Sequence, residues 1–464
     1  MKISFHGADR SVTGSCHMIE CAGRKLLIDC GLYQGERELH EDNAEPFRFD
    51  PKTIDFLLLT HAHLDHCGRI PLLSKRGFRG EIITTSATRE LARLVMLDAA
   101  HLQEEEARIE NRHRARRGHE GPEIEPLYSV LDAMNSTEHF GRSATYNERL
   151  ELAPGIVVTF IEAGHILGSA CVFLELLEGD KKRTVLFSGD LGNAQRPFLR
   201  SPATPPPADV VVMETTYGDR LHKALSPSVD ELYEAINDTV KRGGNVIIPT
   251  FALERAQEIL FCLQQGSEQQ KLPRSMQVFV DSPMAISATE IFEHHPECYQ
   301  PTVKELFAEG RDPFKPLNSH ITRETSESIA INRITGGAVI LAGSGMCTGG
   351  RVRHHLQHNL WRRESSIIFV GYAAHGTLAR RIIDGARSVR IYGQEVQVKA
   401  AVHTISGFSA HADQAELLSW HRQTGQPEKT FLVHGDEEVM RTFASLLTNT
   451  QVELPALGDQ FDLV

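Results

Sequence analysis

No two of the 8 cysteines form a C-x-x-C pair; they are scattered at 16, 21, 30, 67, 171, 262, 298 and 347. Scattered thiols exclude a disulfide-stapled mini-domain and fit a reducing compartment. The N-terminus, Met1-Lys2-Ile3-Ser4-Phe5-His6-Gly7, lacks the continuous apolar stretch of a signal peptide. No run approaches the roughly 18 apolar residues of a membrane helix. The longest, such as Phe56–Leu59, are strand-length. The expectation is a cytoplasmic protein with no membrane partner. Net positive charge is missing too. Lys and Arg number 49 against 61 Asp and Glu, and a net charge of −12 argues against a globally basic nucleic-acid coat. Long repeats and low-complexity tracts are absent. With 41% hydrophobic and 24% charged residues, the chain is neither collagen-like nor a disordered tail. At roughly 150 residues per domain, its length suggests about three units.

Histidine is what the chain has in surplus, 23 of 464 residues. Several lie just past short apolar segments that read as strands. Arg24–Asp29 ends in an acid before Gly31, and Asp55–Thr60 runs into a histidine cluster. Ile156–Glu162 leads to Gly164-His165, and Thr184–Ser188 leads to Gly189-Asp190. Strand ends are where α/β sheets build sites. Ser201–Pro207 carries four prolines and reads as a linker. Beyond it, Val210–Glu214, Asn245–Pro249, Gln277–Val280, Val339–Ala342 and Ile367–Val370 alternate with helical patterns, the signature of a largely parallel sheet. Thr430–His434 is a late strand before a helix. Arg108–Arg117 follows the acidic triplet Glu104–Glu106 on a helix expected around Arg89–Glu106. That stretch reads either as a solvated surface or as a phosphate-contacting arm.

The strongest chemical signal is His61-Ala62-His63-Leu64-Asp65-His66. Four ligand-type residues within six, at a strand end, can point into one cleft. Neutral imidazole and carboxylate are zinc ligands. His165, Asp190 and His434 offer further ligands, each after a strand, and Asp190 is placed to bridge two ions. Asp29 is expected behind the ligands, orienting them. Cys67, directly after the cluster, reads as a buried structural thiol.

The order Asp29, HxHxDH, His165, Asp190 and a late histidine resembles the metallo-β-lactamase superfamily over residues 1–205 and roughly 400–464. The resemblance implies an α/β fold, a four-layer αββα sandwich. It implies a first metal site of His61, His63 and His165 with Asp190 shared. The implied second site is Asp65, His66, Asp190 and His434, giving two Zn2+ ions per chain. A flavodiiron-type oxidoreductase would usually carry Glu where His63 stands, so hydrolytic zinc is expected over redox iron.

Superfamily chemistry spans many substrates, so the insertion has to name this one. Val210–Lys399 interrupts the sandwich and resembles the β-CASP nucleases. Glu214 matches their acidic motif A, His411 in Phe408-Ser409-Ala410-His411-Ala412-Asp413 their motif B, and His434 their motif C. The implied organisation is 1–207 and 400–464 as the split metallo-β-lactamase domain, with 208–399 as a β-CASP α/β domain having a mostly parallel sheet. Gly343-Ser344-Gly345-Met346 follows a strand and opens an expected helix, so Ser344, Gly345 and Arg351 are candidate phosphate contacts, with Arg255. His375 reads equally as lining an RNA path or as a structural hydrogen-bonding group. Histidine at motif C is typical of RNA-directed members. The expected function is zinc-dependent hydrolysis of single-stranded RNA, endonucleolytic, with 5′-3′ exonucleolytic action as an additional mode. His411, held by Glu214, is the expected general acid, and Asp65 and Asp29 support the catalytic centre. The alternatives are a DNA-directed nuclease of the same superfamily, a small-molecule metallo-hydrolase, or a non-catalytic scaffold. A homodimer is compatible with the sequence.

Overall fold

The computed structural model describes residues 1–34, 42–118, 121–194, 196–371, 373–374 and 376–464. The chain forms two compact units. One comprises Met1–Ala194, Ser201–Leu221 and His411–Val464, and the other Gln195–Arg200 and His222–Ala410.

The first unit holds two seven-stranded sheets. In one, the strands run Gln460–Asp462, Lys2–Phe5, His17–Cys21, Arg24–Ile28, Phe56–Leu58, Glu81–Thr85 and Phe140–Ala144 from edge to edge. In the other the order is Gln451–Glu453, Lys429–Val433, Val210–Glu214, Lys181–Phe187, Ala170–Glu178, Ile156–Glu162 and Arg149–Ala153. The two-residue period of a strand decides what each side chain meets. Val210 and Val212 enter the core between the sheets with Phe5, Leu26, Val172 and Phe431. Val211 and Met213 point the other way, onto Leu417 and Trp420 of helix Gln414–Gln423 and Met440 and Phe443 of helix Glu437–Ala444. The same alternation sends Phe160 inward and Ile161 outward. Helices Ile70–Lys75, Ser86–Arg116 and Val130–Ser136 meet around Leu72, Ala100 and Ala133 beside the first sheet. The result is the expected αββα sandwich.

The second unit is built on a six-stranded sheet in which every ladder is parallel. Its central strands Ala338–Ala342 and Val246–Pro249 are buried throughout, as a sheet covered on both faces requires.

Two expected boundaries move. Val210–Glu214 was expected to open the inserted domain, but it pairs in parallel with Lys181–Phe187 and with Lys429–Val433. Its four apolar residues are needed on both faces of the second sandwich sheet. The proline-rich stretch before it therefore connects two strands within the sandwich. Ala401–Ile405, expected after the return to the sandwich, extends the six-stranded sheet beside Ser366–Val370. The units divide at Leu221/His222 and Ala410/His411, in place of 207/208 and 399/400.

All eight cysteines are free and buried, and burial drives the Cys67 thiol well above its ordinary range. No helix among the described residues is long and apolar enough to cross a membrane.

His421 gives this fold a built-in acid sensitivity. It is fully buried on helix Gln414–Gln423 with Nε2 2.9 Å from Thr430 Oγ1, and its Nδ1 has no hydrogen-bond partner among the described residues. Burial pushes its pKa from 6.5 down to about 4. The folded state thus favours the neutral ring, and the stabilisation is complete above pH 6.5 and lost as pH falls towards 4. Its ceiling is about 3 kcal/mol. In urea unfolding followed from pH 7 to 4, His421→Gln is expected to flatten the fall in stability. Parallel curves for the two proteins would contradict this.

Candidate metal centre

Asp29, at the end of strand Arg24–Ile28, adopts φ 62°, a region that a non-glycine residue enters only under tertiary constraint. Its carboxylate supplies that constraint. Oδ1 accepts from Thr60 N at 2.8 Å, and Oδ2 accepts from Thr60 Oγ1 at 2.8 Å and from His66 Nδ1 at 2.7 Å. One buried acid thereby fixes both ends of the loop carrying the histidine cluster. The same loop lies so close to Gly31 that a Cβ there would sit 1.6 Å from the Asp65 carbonyl oxygen.

Around this anchor the ring nitrogens sort themselves. Thr60 donates its hydroxyl hydrogen to Asp29 and so accepts from His61 Nδ1 at 3.0 Å. Thr216 donates to the His434 carbonyl at 3.2 Å and accepts from His434 Nδ1 at 3.1 Å. With His66 Nδ1 held by Asp29, three imidazoles spend Nδ1 on the protein and turn Nε2 inward as a lone pair. Such an outer partner fixes the tautomer of a metal-binding histidine.

The inward atoms form two groups. His61 Nε2 and His165 Nε2 each lie 3.2 Å from His63 Nδ1, and 3.4 and 3.6 Å from Asp190 Oδ2. A tetrahedral zinc with ligands at 2.0–2.1 Å separates them by about 3.3 Å. The spacing is thus that of ligands around one ion. In the second group His66 Nε2 is 3.2 Å from His434 Nε2, His434 Nε2 is 3.3 Å from Asp65 Oδ2, and His66 Nε2 is 3.3 Å from Asp190 Oδ1. Asp190 therefore turns one oxygen to each group. Its Oδ1 is buried without a hydrogen-bond partner among the described residues, which a cation would supply. The donor set of imidazole and carboxylate fits zinc.

Electrostatics agree with this division. Burial, reinforced by neighbouring rings, lowers the pKa of His61, of His63 to about 3, and of His165, keeping them in the neutral ligand form. At His66 and His434 burial also opposes charge, but Asp190 and the nearby acids outweigh it and raise both. These two would surrender protons to a bound cation.

A third cluster adjoins the first. Glu214, at the end of its strand, is buried and accepts from Leu191 N at 2.6 Å. His411 Nδ1 lies 3.2 and 3.3 Å from its two oxygens. The His411 ring sits 4.4 Å, centroid to centroid, from His165. Burial would lower the His411 pKa, but Glu214 overrides it and lifts it to about 9. A protonated imidazole is thus held beside the metal-ligand set. A Cβ on Gly192 would lie 1.7 Å from the Gly164 carbonyl, so glycine lets the loop carrying Asp190 pack against the loop carrying His165, and Gly192 also forms a β-bridge with His411.

All seven expected ligands, together with Asp29, Glu214 and His411, lie in these clusters. The expected RNA contacts do not gather in the same way. Arg351 gives NH1 to Asp281 Oδ1 at 2.7 Å and to Thr322 O at 2.9 Å, and NH2 to Arg323 O at 2.7 Å. Arg255 is buried, pairs with Glu258 and lies over the Phe408 ring. Both guanidinium groups are committed within the protein. The glycine-rich turn closes on itself, with Gly349 N donating to Ser344 Oγ at 3.3 Å. Gly345 lies against Phe251, where a Cβ would come within 2.8 Å of the ring. The following helix begins only at Val352, whose N–H already binds Gly343 O at 3.0 Å. His375 lies outside the described residues.

The threonines that set the tautomers, Thr60 and Thr216, belong to no ligand motif in the sequence. Their only signal is position, directly before His61 and two residues after Glu214. Arg196 was missed as well. It is buried with Glu254 and Glu258 and reaches the Ser409 carbonyl at 3.4 Å.

Comparison with known proteins agrees with this architecture. The family model for the metallo-beta-lactamase superfamily matches residues 10–250. The Beta-Casp domain model matches 256–382, and that of the Zn-dependent metallo-hydrolase RNA specificity domain matches 395–455. A ribonuclease of Thermus thermophilus is 40% identical over 99% of both chains. A transcription termination factor of Methanosarcina mazei is 32% identical over 96% of this chain and 68% of its own length. An RNase J-like protein of Methanocaldococcus jannaschii is 29% identical over 97% and 96%. A solved Enterococcus faecalis protein of unknown function shares the fold, with a TM-score of 0.57 at 12% identity over 99% of each chain.

Asp29→Asn keeps the shape but cannot accept all three hydrogen bonds. Zinc affinity, measured by competition with a chelator, is expected to fall roughly 10–100-fold, the usual effect of losing an outer partner. Unchanged affinity would remove Asp29 from the ligand-orienting role.

Proposed function

The chain belongs to the metallo-β-lactamase superfamily, in its β-CASP nuclease branch, a family of metal-dependent hydrolases, and we propose that it is a ribonuclease that hydrolyses phosphodiester bonds of single-stranded RNA. The observation that carries this reading is the juxtaposition of the Asp190-centred ligand groups with the protonated His411–Glu214 pair. Polymer identity is supported by the RNA specificity model over 395–455 and by the end-to-end likeness to a ribonuclease.

Two zinc ions are proposed. His61, His63 and His165 would hold one, and Asp65, His66 and His434 the other, with Asp190 shared. Zinc, when bound, activates water as a nucleophile and offsets the negative charge that builds on phosphate.

The chain's own residues supply the rest. Asp29, Thr60 and Thr216 keep the Nε2 atoms of His61, His66 and His434 directed at the centre. Glu214 holds His411 through Nδ1 and keeps the ring charged, so that it can deliver a proton to the departing O3′ oxygen. The products are then a 3′-hydroxyl and a 5′-phosphate. Leu191 N, donating to Glu214, keeps that carboxylate from turning away. The glycine-rich turn at Ser344 and Gly345 is a candidate contact for the substrate backbone. Arg351 and Arg255 act by holding the loops around them, since their donors are already engaged.

The proposal is tested with zinc-replete protein and end-labelled RNA and DNA strands of matched sequence, with and without a 5′-phosphate. Cleavage of RNA alone is expected. Equal cleavage of DNA would reassign the polymer, and dependence on the 5′-phosphate would mark exonucleolytic action. His411→Ala should retain zinc and lose roughly 10²–10⁴-fold in rate, whereas full turnover in this variant would exclude the proton-donor role. Asp190→Ala should instead lose bound zinc, and two ions per chain retained in it would contradict the shared-ligand assignment.

A further inference from the structure

We infer that the exposed face of helix Ser86–Arg116 between Leu102 and Arg116 is a self-complementary surface on which a second copy of this chain docks, antiparallel and two-fold. This goes beyond the proposed activity and does not rest on it.

The helix is 31 residues long, yet nothing beyond Ala107 on it is fully buried. From residue 102 onward its two faces differ. Gln103, Glu104, Ala107, Asn111 and Arg114 are buried or half-buried. Glu104 accepts from Val130 N at 2.9 Å, Asn111 exchanges hydrogen bonds with Ile124 N and O at 2.8 and 2.9 Å, and Arg114 donates to Pro122 O at 3.1 Å. These residues hold the returning segment. Residues 102, 105, 106, 109, 112, 113 and 116 are all exposed, and their steps of three and four place them on one stripe. The stripe runs about 21 Å.

Its chemistry is ordered. Leu102 and Ile109 are apolar, 50% and 41% exposed. Glu105 and Glu106 lie on one side of Ile109, and Arg112, His113 and Arg116 on the other. None of these charged residues forms an ion pair with a described residue. The whole region is rich in uncovered apolar surface. Ile124, Leu131 and Met134 are also exposed, so this one hairpin holds five of the 16 large exposed hydrophobics among the described residues. Such a concentration marks an interaction surface.

The pattern selects its partner. An antiparallel copy with Ile109 on the two-fold axis places residue i opposite residue 218 − i. Glu106 then faces Arg112, and Glu105 faces His113. Each contact occurs twice, because a two-fold interface repeats every pair. Ile109 meets Ile109 at the centre, and outside the stripe Glu110 falls opposite Arg108. A phosphate-binding arm is the less suited alternative. Residues 104–117 carry five arginines but also four glutamates, and those carboxylates would repel a polyanion.

Sedimentation velocity on the full zinc-loaded chain provides the test. At low salt the mass should rise from monomer towards dimer with concentration, and added salt should reverse it, because the pairs are exposed and screened. Glu105→Arg with Glu106→Arg should weaken the dimer by roughly 100-fold or more, as like charges replace opposite ones. Adding Arg112→Glu and His113→Glu to that protein should restore it. Ile109→Glu, a single exposed change, should also give monomer. A wild-type monomer at every concentration would overturn the proposal, as would a swap that fails to restore the dimer in folded protein. Loss of RNA binding in Arg112→Glu/His113→Glu with no effect on mass would assign the face to phosphate instead.

Discussion

Asp190 turns its two carboxylate oxygens to two separate groups of ligand atoms while buried away from water. Burying a carboxylate without compensation is costly, and here the relief comes chiefly from His66 and His434, whose protons a bound cation would displace. The surrounding structure makes sense as the means of holding that unfavourable assembly together until cations complete it. Asp29 and His434 both occupy the left-handed region, at φ 62° and 51°. Each is locked by hydrogen bonds, Asp29 through Thr60 and His66, His434 through Ala8 O at 2.9 Å and Thr216. The ligands are thus held by the protein's own hydrogen bonds, which is how a site keeps geometry under strain.

The sandwich gives those loops a rigid base. The loops bearing Asp29, His61, His165, Asp190 and His434 follow strands, Glu214 ends one, and the strands are fixed by side chains that alternate between the inter-sheet core and the covering helices. That alternation explains why Val210–Glu214 is apolar throughout. A strand covered on both faces leaves no polar position until its last residue, and there Glu214 emerges to meet His411.

Much of this was readable from residues because the ligands cluster. His61 to His66 are neighbours in sequence, and His165, Asp190 and His434 each follow an apolar strand and stand beside a glycine or an acid. Where the reading failed, the information was non-local. The prolines before Ala208 look like a domain linker, but nothing in the local sequence tells whether the next strand joins the old sheet or begins a new one. Its pairing with Lys429–Val433 spans some two hundred residues. The surroundings of the two arginines are non-local as well. Arg351 and Arg255 stand beside glycine-rich and polar turns, as phosphate-binding residues do. Their partners Asp281 and Glu258 are brought to them only by packing.

The second unit extends the same logic of satisfied charge. Asp281 accepts from Thr322, Ser328, Arg351 and His355 at 2.6–2.7 Å. Burial opposes its charge, yet these donors hold its carboxyl below the usual range. Arg196, Glu254, Glu258 and Arg255 form a second buried network, where desolvation pushes Glu254 up to about 7. Buried ion pairs add little net stability but punish any arrangement that separates them. Here they join segments far apart in the chain, such as 196 with 254–258 and 281 with 322–355. Their consequence is to fix which loops meet. Arg351 and Arg255, the expected substrate contacts, take part in these networks.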